Sequence, residues 1–462
     1  TGPTHIEIKN MSKPNFIVFI TDDHGYGDLS CMGSTDVMTP NLDRLAAGGV
    51  RFTDFYSNSP VCSPSRAALL TGRYPARAGV RSILAGHRTA SGLRREIPSM
   101  VQGLKKQGYN TYMSGKWHMG LADDSRPHQQ GFDRWYGFLA GCIDYYSHIF
   151  YWGINRGGPG QNPIHDLWED NAEIWDNGKY MTEAITDKAI DYIRDASKQD
   201  EPFMLYVAYN APHYPMHAPQ KYMDRFADLP WDRQVMAAML SAVDDGVGEI
   251  MNELERRGMA DNTCTFFMSD NGPSRESRNW LDGNLDFYYG GSSGGLKGHK
   301  FSLYEGGIRV PGIINWPGVI PAGQVLSDPV AAMDIMPTFV KAAGGNPEQY
   351  GVDGCDILPF LSKGEALPER DLCWEMNDQT AIRRGKWKLV LKGRLVEHEE
   401  PPCEVHLANL EDDMGEEINL ADQYPELVSE LTGAALNWRK SVEADWDELQ
   451  KQQNSGIVTF QG

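Results

Sequence analysis

The chain has 462 residues, 41% apolar and 23% charged, with a formal net charge of −20, a globular composition long enough for one large α/β domain and a smaller companion. That acidity excludes nucleic acid as the main partner, because phosphates demand a basic face, and apolar runs such as Phe16 to Ile20 are far short of the roughly 20 residues of a bilayer span. An anionic substrate would have to be met by a local cluster of cations or a metal, against the global field.

Thr1 to Asn10 reads as an extension ahead of a natural start at Met11, which places the protein in the cytoplasm; the alternative is a periplasmic or secreted protein whose signal peptide has been removed. Asn15 to Thr21 is a continuous apolar run, predicting a strand buried on both faces, and it ends in Asp22-Asp23. Pro40 opens a short helix over Asn41 to Ala47, closed by Gly48-Gly49. Cys62 stands at the mouth of another short helix. Pro98 opens a helix through Leu104, and the strand Asn110 to Ser114 then runs into Gly115-Lys116-Trp117-His118. Thr182 to Ala196 is helical, the strand Phe203 to Ala208 leads to Asn210-Ala211-Pro212-His213, and Met236 to Leu254 is a long amphipathic helix. The strand Thr263 to Met268 leads to Asp270-Asn271, and Tyr289 to Gly295 reads as a surface loop. This alternation predicts an α/β fold over residues 11–370, a large mostly parallel sheet sandwiched by helices. Ligands in such folds bind beyond the carboxyl ends of the strands, so the polar residues that end these runs should converge. Residues 371–462 read as a C-terminal α+β subdomain, with Ile382 to Leu391 and Glu404 to Leu410 as antiparallel strands and Pro425 to Val442 as a closing helix.

Asp22, Asp23, Asp270 and Asn271 form an all-oxygen set that suits Ca²⁺, and Mg²⁺ less well; the plain alternative is a group of solvated turn residues. The seven cysteines are widely spaced, with no Cys-x-x-Cys pair, which argues against a zinc site or a disulfide framework. Cys62 has three readings: a buried bystander, a thiolate nucleophile activated by a helix N-terminus, or a residue defined by its neighbours.

The neighbours carry a resemblance. Cys62-Ser63-Pro64-Ser65-Arg66, continuing to Thr71-Gly72-Arg73, resembles the signature of the formylglycine-dependent sulfatases, the arylsulfatase branch of the alkaline phosphatase superfamily. Thr21-Asp22-Asp23, Gly115-Lys116-Trp117-His118, Ala211-Pro212-His213, Ser269-Asp270-Asn271-Gly272, Lys300 before Tyr304-Glu305-Gly306-Gly307, and Lys386-Trp387-Lys388-Leu389 follow in that family's order. The resemblance implies that a formylglycine-generating maturation enzyme oxidises Cys62 to formylglycine. Hydrated, this is a geminal diol whose sulfated form collapses and expels sulfate, where a serine ester would persist. It implies that Asp22, Asp23, Asp270 and Asn271, with residue 62, hold Ca²⁺. Arg66 and Lys116 would steady the hydroxyls of residue 62, while Lys300 and His213 face the leaving oxygen, with His213 as general acid. His118 would be the base that triggers collapse.

Three functions follow: a sulfatase acting on an aryl sulfate or sulfated sugar, a phosphodiesterase or phosphonate monoester hydrolase of the same fold, and a non-catalytic glycan-binding relative. The run Gly298 to Pro311 resembles bacterial carbohydrate sulfatases, so an oligosaccharide sulfate ester is the expected substrate. The segment Gly141 to Trp168 holds Asp144, Tyr145, Tyr146, His148, Tyr151 and Trp152, a mixture suited to stacking on a sugar or to a partly buried loop.

Overall fold

The computed structural model describes residues 13–150, 163–275, 290–397 and 399–454. The expectations placed on Thr1 to Asn10, Tyr151, Trp152 and Tyr289 lie outside the described residues.

Every residue of the strands Asn15–Thr21, Phe203–Ala208 and Thr263–Ser269 is buried, as expected of strands covered on both faces. They sit at the middle of a ten-stranded sheet whose order is Gln324–Leu326, Val50–Phe52, Gly312–Asn315, Thr263–Ser269, Asn15–Thr21, Phe203–Ala208, Asn110–Lys116, Arg134–Phe138, Trp168–Glu169 and Ala172–Glu173. The five strands from Thr263–Ser269 to Arg134–Phe138 are mutually parallel, and antiparallel pairings lie towards both edges. The fold is thus the expected α/β sheet, parallel where the predicted strands lie and mixed outside them. Helices Pro40–Ala47, Met181–Ala196 and Trp231–Arg256 pack as one group, and Cys62–Thr71, Met100–Lys105 and Ile335–Ala342 as another.

Register does the positioning. Thr21 pairs with Ser269, Ile20 with Ala208, and Ala208 with Gly115. The carboxyl ends of four strands are therefore level, and Asp22, Asp270, His213 and Lys116 leave the sheet at one edge. Asp270 N donates to Thr21 O at 3.0 Å and Asp22 N to Ala211 O at 3.2 Å, extending the pairing past the strand ends.

The C-terminal unit is a four-stranded antiparallel sheet, Leu372–Met376, Gln379–Arg384, Trp387–Gly393 and Cys403–Asn409, under the helix Pro425–Asn454. Ile382 to Leu391 is therefore not one strand but a hairpin, turned at Gly385, whose left-handed φ of +55° favours glycine. All seven cysteines are free. Among the described residues no helix is long and apolar enough to cross a membrane.

A buried ionic cluster joins the two sheets. Lys388 Nζ lies 2.8 Å from Glu305 Oε1 and 3.2 Å from Glu416 Oε1, and all three residues are fully buried. Arg309 and the Tyr56 hydroxyl also bond to Glu305, at 3.1 and 2.6 Å, and Arg383 pairs with Asp54 at 2.7 Å. Burial raises both carboxyls, but Lys388 and Arg309 outweigh it at Glu305, which is held down at about 2, whereas Glu416 is pushed up to about 7. Lys388→Ala would strand the carboxylates, so guanidinium denaturation should show a loss of about 3–5 kcal/mol. A loss within the range of an exposed pair, under about 1 kcal/mol, would contradict this role.

Candidate active site

Cys62 opens the buried helix Cys62–Thr71, with its Sγ 3.4 Å from Asp22 Oδ1. One turn on, Arg66 donates from Nε and Nη2 to Asp270 Oδ2 at 3.0 and 2.8 Å, and from Nη1 to Lys116 O at 3.3 Å. Lys116 Nζ is bonded to Asp22 Oδ2. Lys300 Nζ lies 2.8 Å from Asp23 Oδ1 and 2.9 Å from Oδ2. Three carboxylates thus face three cations, and each of the six is at least 94% buried. Charges taken out of water are tolerated only when paired this closely.

Four side chains, Asp22, Asp23, Cys62 and His213, bring candidate ligand atoms within 4.8 Å of one another. Asp270 and Asn271 adjoin them: Asp23 N donates to Asp270 Oδ1 at 3.2 Å, and Asn271 Nδ2 to Asp23 Oδ1 at 2.7 Å. Asn271 Oδ1 is buried without a hydrogen-bond partner, a costly state for an acceptor unless a cation takes it. The oxygen donors therefore fit a hard divalent ion. Burial pushes the Asp270 carboxyl up to about 6, and the neighbouring Asp22 charge adds to it, so this carboxylate has a deficit of positive charge. At Asp22 burial works upward too, but Lys116, Arg66 and Lys300 outweigh it and hold the group low.

Burial, reinforced by Asp22, raises the Cys62 thiol far above its ordinary range. Of the three readings of Cys62, the thiolate at a helix N-terminus is disfavoured, because desolvation is the largest influence on the thiol and works against it. His118 is lowered well below 6.5 by burial, with Lys116 and Arg66 adding to it, so it stays neutral. Its Nε2 lies 3.2 Å from Leu84 O, which can only accept, leaving Nδ1 as a buried lone pair with no partner. That is the state a base requires. His213 is likewise lowered, by burial and then by Lys300. Its Nδ1 donates to Tyr214 O at 2.8 Å, so in the neutral ring Nε2 is the acceptor, and it faces Asp23 Oδ2 at 3.6 Å. In this neutral state its N–H is held by Tyr214 O, so the role of general acid expected of His213 would require a second proton, at Nε2 beside Asp23. Lys300 differs, since burial lowers it but Asp23 more than restores it, keeping it charged.

The sugar-stacking expectation is corrected at two positions. Tyr145 is fully buried, with its hydroxyl 2.8 Å from Asn210 O and 2.9 Å from His213 O. It anchors the His213 turn and offers no face to a ligand. His148 is also buried, with Nε2 3.0 Å from Lys179 O. Asp144 accepts from Tyr146 N and Ser147 N at 3.0 and 2.7 Å, closing its own turn, and lies 3.3 Å from His217. Tyr146 is half-buried, its ring centroid 5.4 Å from Tyr180 and 6.2 Å from His217.

Two contributors escaped the sequence reading. Leu84 supplies only a backbone oxygen, which no motif marks. Gly141 does so by lacking a side chain, since a Cβ there would lie 2.7 Å from Cε1 and Nε2 of His118. Gly141→Ala should displace the imidazole and lower kcat for an aryl sulfate about a hundredfold with KM little changed. Unchanged kcat in steady-state assays would show that the His118 ring position does not matter.

A Sulfatase family model matches residues 14–345. N-acetylgalactosamine-6-sulfatase of Mus musculus is 32% identical over 479 residues, covering 93% of this chain and 86% of that protein. Arylsulfatase A of Homo sapiens is 35% identical over 410 residues, covering 81% of this chain and 74% of that protein. The solved structure of Ps i-CgsB in complex with k-i-k-neocarrahexaose aligns with a TM-score of 0.81 at 33% identity, covering 92% of this chain and 93% of that one. With the family model spanning most of the chain and relatives above 30% identity along it, the chain belongs to the sulfatase family and is a sulfuric ester hydrolase.

Proposed function

We propose that this sulfatase cleaves the S–O bond of a sulfate ester on a saccharide, using residue 62 after oxidation of its thiol to formylglycine, with Ca²⁺ held by Asp22, Asp23, Asp270 and Asn271. The observation that carries the reading is the place of Cys62: Sγ is 3.4 Å from Asp22 Oδ1, beside three buried carboxylates and three buried cations. A divalent ion among these oxygens would leave the cluster net positive, which suits a sulfate group in a protein of charge −20. Support for a sugar ester comes from the similar proteins, one named for N-acetylgalactosamine and one solved with k-i-k-neocarrahexaose.

Bound Ca²⁺ would supply a Lewis acid that offsets charge on a sulfate oxygen and acidifies an adjacent hydroxyl. Hydrated formylglycine would supply two hydroxyls, one to attack sulfur and one whose deprotonation releases sulfate. The chain's own residues do the rest. Arg66, fixed by Asp270 and the Lys116 carbonyl, and Lys116, fixed by Asp22, orient residue 62. His118 Nδ1, unpartnered and unprotonated, takes the proton from the second hydroxyl. Lys300, kept charged by Asp23, donates to the ester oxygen as negative charge grows there. His213 lines the pocket as a neutral acceptor.

The test uses protein co-produced with a formylglycine-generating enzyme, assayed for sulfate release from sulfated oligosaccharides and for turnover of a phosphonate monoester. Sulfate esters should be the faster class, and Cys62→Ser should lose about a thousandfold or more. Faster phosphoryl chemistry, or an active serine variant, would contradict the reading. Calorimetric titration should show Ca²⁺ binding that weakens about tenfold or more in Asn271→Ala; equal affinity in the two proteins would remove Asn271 from the ligand set.

A further inference from the structure

Phe301 follows Lys300 and holds a backbone φ of +74°. A bulky aromatic residue adopts this left-handed conformation only where its surroundings impose it, and such outliers cluster at functional sites. Here two hydrogen bonds impose it. Phe301 N donates to Pro60 O at 3.1 Å, two residues before Cys62. Gln379 Nε2 donates to Phe301 O at 2.9 Å. Gln379 belongs to the C-terminal sheet, is 3% exposed, and accepts at Oε1 from Arg394 N at 3.1 Å. The same loop meets that sheet's Arg394–Leu395 turn twice more, through His299 N to Leu395 O at 3.0 Å and Ser302 Oγ to Arg394 O at 2.6 Å. Lys300 N donates to Pro273 O at 3.0 Å, two residues beyond Asn271. The peptides around Lys300 are thus tied to the Cys62 loop, to the Asn271 loop and to the C-terminal sheet.

We propose that Gln379 is a positioning residue for Lys300: by holding the Phe301 carbonyl it locks the left-handed peptide that aims the Lys300 ammonium into the site. The C-terminal sheet is then part of the leaving-group apparatus. The inference rests on the reading of Lys300 as the cation that meets the leaving oxygen. Without the Gln379 donor, the Phe301 carbonyl loses its partner and the left-handed peptide loses one of its two ties. A shift of about 1 Å at the Lys300 ammonium is enough to matter, since misplacements of that size cost about a hundredfold.

The test is a series of aryl sulfates with phenols of rising pKa, assayed with matured wild type, Gln379→Glu, Lys300→Ala and, as a structural control, Leu431→Ala, which empties a buried position on the C-terminal helix. Gln379→Glu keeps the acceptor for Arg394 N and has no N–H for Phe301 O. It should lose about tenfold on the most acidic phenol and about a hundredfold or more on the least acidic, with KM little changed. Lys300→Ala should show the same dependence more strongly, and Leu431→Ala should lower Tm without any such dependence. A uniform loss or none in Gln379→Glu, beside a leaving-group-dependent Lys300→Ala, overturns the inference and leaves the reading of Lys300 standing. An indifferent Lys300→Ala overturns both. If Gln379→Glu does not fold, Gln379→Met is read in its place, and failure of both to fold makes Gln379 a structural residue and overturns the proposal.

Discussion

Three carboxylates and three cations sealed from water at the level ends of parallel strands are the constraint on which the rest of the structure depends. Each charge costs several kcal/mol to bury and is tolerable only at contact distance from its partner. The site therefore cannot relax piecemeal: moving Asp22 strands Lys116, and moving Asp23 strands Lys300. Local backbone cost is accepted to hold the arrangement. Asp23, His118 and Phe301 have φ of +61°, +52° and +74°, left-handed values that non-glycine residues rarely take, and all three lie in or next to the site.

The loops that carry the charges are stitched to one another by backbone bonds rather than by a continuous sheet. Gly272 N donates to Gly307 O, Lys300 N to Pro273 O, and Phe301 N to Pro60 O. Beneath them the Glu305–Lys388–Glu416 cluster binds the Lys300 loop's own helix to the C-terminal sheet. This ionic joint is buried as deeply as the site itself, so the two sheets are coupled by pairing requirements as well as by packing. The electrostatic logic also reconciles an acidic protein with an anionic substrate, because attraction arises locally, from charges that are fixed and buried.

Much of this was legible in the sequence. The apolar runs ending in Asp22-Asp23, Lys116, His213 and Asp270-Asn271 determine which edge carries the site, since parallel strands buried on both faces must present their polar ends together. The positions of the side chains at the level strand ends follow from that pattern, whereas their hydrogen-bond partners and burial do not. No motif marks that His213 Nδ1 is held by Tyr214 O, or that Cys62 is buried deeply enough to raise its thiol. Tyr145 and His148 misled because an aromatic loop residue has the same composition whether it faces a sugar or the core. Gln379 and Gly141 were silent for another reason: one acts on a carbonyl 78 positions away, the other by what it lacks, and neither effect leaves a local pattern.

The most direct measurement is peptide mass spectrometry of the tryptic fragment Phe52 to Arg66 from protein co-produced with a formylglycine-generating enzyme. The account requires that the side chain of residue 62 has exchanged its CH₂SH for CHO, in a preparation that releases sulfate in proportion to the exchanged fraction. A preparation that releases sulfate at full rate with an intact thiol at position 62 would contradict it.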